Sequence, residues 1–199
     1  MKLAKYVACI YEGSAERAIL ELLLEADKLI FTWDDLLEGE LIKCRSAKNF
    51  EAQYLRKGFR SKITVVRVLD SRNEVFKLSK AYEHKVEVIN IVTAPEIEML
   101  IILCEGKYAE YKRSGKKPSD FCKENLRLGA VKNYAFVKRY FSDIERLMFL
   151  INEYQRISKI PQRNTRSKTS SGNRFDRAKA HRSKAFQVFG YVEIPHPII

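Results

Sequence analysis

Apolar positions fall into two regimes along this chain. Up to about residue 93, short runs of Val, Ile and aromatic residues alternate with stretches whose apolar positions recur every three or four residues. The runs at 5–11 and 62–69 read as buried strands, and 86–92 alternates as a strand does. Shorter strands are predicted over 29–31 and 41–44. Between them, 14–26 predicts a helix with Ala18, Ile19, Leu22 and Leu23 on its apolar face. Phe50, Tyr54 and Leu55 suit a connecting helix closed by Gly58, and 74–82 suits another. Strands alternating with helices predict an α/β fold: a small, mainly parallel sheet built from crossover units and flanked by helices.

Beyond Pro95 only helical periodicity persists, over 96–111, 119–126, 131–141 and 142–157, with a break at Gly115-Lys116-Lys117-Pro118. The expected organisation is a sheet domain over 1–105, a helical C-terminal extension over 106–160, and a basic tail over 161–199. Within 162–185 eight basic residues face one acid, Asp176. Such a segment buries too little apolar surface to offset its ordering entropy, so flexibility is expected there. The closing stretch around Tyr191 and Val192 is strand-like, and either packs back as an edge strand or stays loosely held.

Net charge of +12 favours polyanionic partners, nucleic acid above all. No apolar run reaches the roughly 18 residues of a membrane span, and the N-terminus carries no secretory pattern. A cytoplasmic protein without a membrane partner is expected. The four cysteines, Cys9, Cys44, Cys104 and Cys122, form no CxxC pair and read as free thiols in a reducing compartment. His84, His181 and His196 show no ligand spacing. Phe136, Tyr140, Phe141, Leu147 and Phe149 supply a helical apolar face, either core or a surface for a protein partner or a second copy of the chain.

Candidate chemistry gathers where strands end. The first strand runs out in Glu12-Gly13-Ser14-Ala15-Glu16: a carboxylate at the lip, a glycine turn, and a serine placed to cap a helix. Ligands of open α/β sheets bind outside the carboxyl ends of strands. Glu16, in the first helical turn, is explained by the helix dipole alone. Asp70 ends the strongest strand, where an aspartate caps the following helix or binds metal. Thr93-Ala94-Pro95-Glu96 reads as a capping box, which accounts for Glu96. Glu98 sits among Ile97, Met99, Leu100 and Ile101, on the exposed side of a helix or turned towards a site. Glu12, Asp70 and Glu98 together would form a hard oxygen cluster suited to Mg²⁺ or Mn²⁺ and to phosphodiester cleavage. Arg67, Arg72 and Lys77 are candidate phosphate contacts, although a solvated basic face explains them equally well.

At these motifs the chain resembles the Toprim fold, and more narrowly the RloB-like and abortive-infection Toprim proteins, over residues 5 to about 105. The resemblance implies that Glu12 acts near the scissile phosphate and that Asp70 is the first member of an Asp-x-Asp metal pair. Arg72 stands where the second aspartate belongs. It further implies a magnesium-dependent nuclease acting on DNA or RNA, in phage defence or a restriction-modification locus. Residues 97–104 and the lysine-rich helices after them are also similar to bacterial proteins loosely labelled N-6 DNA methylases. The chain has no catalytic tetrad or glycine-rich loop for methyl transfer. The alternative to a nuclease is a catalytically degenerate nucleic-acid-binding or interaction subunit.

Overall fold

The structure, a computed structural model, describes residues 3–56, 61–69, 76–93, 96–158 and 190–193. It is an α/β fold whose sheet runs β2-β1-β3-β4-β5, with β1 at Tyr6–Tyr11, β2 at Ile42–Lys43, β3 at Ile63–Leu69, β4 at Val86–Thr93 and β5 at Gly190–Glu193. The first four strands are parallel and β5 joins β4 antiparallel. The predicted mainly parallel sheet with flanking helices is therefore present. Four residues of the segment expected as a tail belong to it.

The central strands β1 and β3 are buried on both faces, which is why β3 reads as a nearly continuous apolar run, interrupted only at Thr64 and Arg67. The two faces carry different layers. Val7, Cys9, Tyr11, Val66, Val68, Ile89 and Ile91 pack under α1 (Ser14–Glu25), α3 (Ile97–Cys104), α5 (Pro118–Glu124), α6 (Tyr134–Tyr140) and α7 (Ile144–Ser158). Ala8, Ile10, Ile63, Val65 and Val86 pack on the other side against α2 (Ala47–Phe50), the π turn Glu51–Leu55 that continues it, and Leu78. The helical extension thus shares one core with the sheet: Phe121, Phe141 and Leu147 are wholly or almost wholly buried in it. Of the aromatic face considered for docking, only Phe149 stands out in solvent, 64% exposed.

Three local expectations are corrected. Leu29 and Phe31 are core residues of an irregular connection, not a strand. The described part of 74–82 forms coil and turns, with only Leu78 buried, so too little apolar surface lies along one side to support a helix. The helix predicted over 96–111 breaks at Gly106, whose φ of 65° no helix interior allows, and resumes as α4 (Tyr108–Ser114).

Candidate functional site

Strand order locates the crevice. The chain leaves β1 towards β2 on one side, then returns across β1 to β3 on the other, so the direction of winding reverses between β1 and β3. In open α/β sheets that reversal parts the crossover connections and opens a crevice at the carboxyl ends of the two strands. Register sets what stands there. Ile10 pairs with Arg67 and Arg67 with Asn90. Continued two residues, the β1–β3 register brings Glu12 level with Leu69, next to Asp70 in sequence. Asp70 and Arg72 themselves lie outside the described residues.

Alternation puts Glu12, Arg67 and Asn90 on the same face as Ile10, Val65 and Val86. There they form a small polar unit. Arg67 is wholly buried, with Nη2 4.0 Å from Glu12 Oε1 and Nη1 donating to Asn90 Oδ1 at 3.2 Å. Its guanidinium carbon lies 4.6 Å from the centre of the Phe76 ring, a cation–π contact. Glu12 is 8% exposed. Its opening to solvent is small, and its charge is balanced from inside the fold.

The expected phosphate contacts therefore separate. Arg67 is an internal counter-ion with no surface to offer a phosphate, because its place in β3 faces the core rather than solvent. Lys77 is exposed, as a surface contact needs. The turn after β1 also differs in detail. Gly13, not Ser14, occupies the N-cap of α1, and Ser14 opens the helix. A Cβ on Gly13 would strike the Glu16 carboxylate, which folds back over it. The sequence assigned Glu16 only to the helix dipole.

Glu98 belongs to a different pairing. It is 1% exposed at the start of α3, and its Oε1 lies 3.2 Å from Lys132 Nζ. Burial opposes the charge on Lys132, but Glu98 first, then Glu96 and Glu16, hold its pKa above the ordinary lysine value. Glu98 lines a cleft that Glu12 does not. Glu96 is the N-cap of α3 and makes no side-chain capping bond; Ala94 and Pro95 of the expected capping box lie outside the described residues.

Among the described residues, no three acids, histidines or cysteines gather as a metal centre requires. At the crevice the described donor is the Glu12 carboxylate, a hard oxygen ligand of the type Mg²⁺ and Mn²⁺ take. Burial pushes the Cys9 thiol up to about 12 and the Cys122 thiol up to about 11, so neither is a nucleophile near neutral pH. Compared with protein families, curated proteins and solved structures, the chain matches none.

Proposed function

We propose that the chain is a nuclease-like protein acting on the phosphodiesters of DNA or RNA, with its reaction centre at the carboxyl ends of β1 and β3. The supporting observation is the reversal of winding between those strands, with Glu12 at one strand end and β3 running up to Asp70 at the other. Mg²⁺ or Mn²⁺ would be held by Glu12 and Asp70, and when bound supplies charge neutralisation and an activated water. The protein's own contribution begins with Arg67. Its guanidinium stands 4.0 Å from the Glu12 carboxylate on the core side and sets a positive charge against it in a nearly closed position. Lys77 and the positive charge of the chain draw the polyanion towards this edge. A role in phage defence or a restriction-associated locus is part of the same proposal.

The test is cleavage of single- and double-stranded substrates with Mg²⁺ or Mn²⁺ by the wild type, Glu12→Gln and Asp70→Asn. Loss of at least about 100-fold in each variant is expected for groups acting on the reacting phosphate. Cleavage that survives both changes excludes this centre.

A second reading, a catalytically silent nucleic-acid-binding module, is favoured by one observation: Arg67 already answers the Glu12 charge internally. It predicts binding that weakens steeply with salt and no cleavage under any metal.

A further inference from the structure

The proposed reaction centre leaves Glu98 unused. Its carboxylate is almost fully buried, yet Oε2 has no hydrogen-bond partner, and Oε1 meets only the ammonium of Lys132. Lys132 is the opposite in burial, with 66% of its side chain in solvent. Both residues line a cleft of about 560 Å³, walled by Ser119, Asp120 and Lys123 of α5 and by the 128–133 segment. A buried carboxylate needs a cation or a full set of donors. Here the cation hangs on a flexible tether rooted in water.

We propose that this cleft binds a small organic ammonium ion, and that Lys132 Nζ is a built-in occupant which the ligand's ammonium replaces at Glu98. The exchange swaps one positive charge for another, so the buried anion is never left bare. The displaced lysine returns to solvent and recovers its rotamer freedom. An untethered ammonium, with three donors, can sit between both carboxylate oxygens, including the one Lys132 leaves unserved. With Lys132 swung outward, Glu98 and Asp120 face a single lining cation, Lys123, and the cleft becomes net anionic. Glu96 and Glu16 strengthen the same field, as their effect on Lys132 shows. Asp120 offers a second carboxylate, which favours a diammonium chain. The volume is within the range of small-ligand sites. This inference does not rest on the nuclease reading.

The experiment is calorimetric titration of putrescine, at fixed ionic strength, into the wild type, Lys132→Ala and Glu98→Gln. The wild type is expected to give saturable binding. Lys132→Ala should bind about tenfold more tightly because the competitor is gone, and Glu98→Gln about tenfold or more weakly because the buried charge is gone. Circular dichroism checks that each variant is folded. Should Glu98→Gln fail to fold, 1,4-butanediol in the other two proteins replaces it as the control: the same chain without charge must not bind. The proposal is overturned by Lys132→Ala binding no more tightly than wild type, by butanediol binding as well as putrescine, or by Mg²⁺ displacing putrescine completely at equal ionic strength.

Discussion

Replacing Arg67 with methionine removes a wholly buried charge while keeping a flexible side chain of similar reach. Among the described residues, three interactions are lost together. The first is the ion pair with Glu12 at 4.0 Å, whose attraction is about 4 kcal/mol at an effective dielectric constant near 20 and before desolvation is counted. The second is the hydrogen bond to Asn90 at 3.2 Å, about 1.5–3 kcal/mol for a charged donor. The third is the contact with the Phe76 ring, about 1–2 kcal/mol where water is excluded. Against these stands the cost of burying a guanidinium, which the variant no longer bears. The imbalance that decides the outcome is Glu12, left inside without this counter-charge. Removing one member of a buried pair typically costs about 3–5 kcal/mol. For a chain of this size that corresponds to a fall in Tm of roughly 6–20 °C. Denaturant unfolding of wild type, Arg67→Met, Glu12→Gln and the double variant measures it. The double variant should recover at least about 1 kcal/mol relative to the sum of the singles, as coupled neighbours do. A loss below about 1 kcal/mol in Arg67→Met, or strict additivity in the cycle, would refute the account of Glu12 and Arg67 as one internal ion pair.

Three further outcomes follow from the packing of α1 on α6 and from the buried thiols. Burial opposes the charge on Glu21, but hydrogen bonds from Tyr134 and Arg17 hold its carboxyl below the usual carboxylate range. A depressed acid stabilises the fold above its unfolded pKa of about 4 and loses that contribution as pH falls through the folded value. The stability gap between wild type and Glu21→Gln, read by urea unfolding, should therefore be largest near neutrality and shrink below about pH 4. Tyr134→Phe should cost about 1 kcal/mol at pH 7, the usual net worth of one such bond. Iodoacetamide labelling followed by mass spectrometry should modify the partly exposed Cys44 and Cys104 well before the buried Cys9 and Cys122; equal rates would contradict the burial.

Much of the architecture was written in local pattern. β3 and β4 are dense in β-branched residues, β1 mixes Val and Ile with aromatics, and α1, α5, α6 and α7 keep helical spacing to within a few residues of their ends. What escaped depends on the third dimension. Leu29 and Phe31 are as apolar as strand residues because they fill the core, and nothing local distinguishes filling from pairing. Arg67 looked like a phosphate contact because charge in a sequence suggests solvent. Its burial is set by Glu12, Asn90 and Phe76, which come from three other segments. The grouping of Glu16, Glu96 and Glu98 about Lys132 spans α1, α3 and the segment before α6, so no spacing announces it. The polar lip after β1 was legible for a simple reason. A carboxylate that directly ends a buried strand has few places to go.

The return of the chain at Gly190–Glu193 has a consequence for trimming. β4 would otherwise present a bare flank of backbone donors and acceptors, ready to recruit a foreign strand. Four residues near the C-terminus, paired with Asn90–Thr93, act as its selvedge. On the far side β2 is only two residues long and offers little to grip. Shortening the polypeptide past residue 189 therefore changes more than its net charge: it unhems the sheet, and self-association is the expected fate of the trimmed protein.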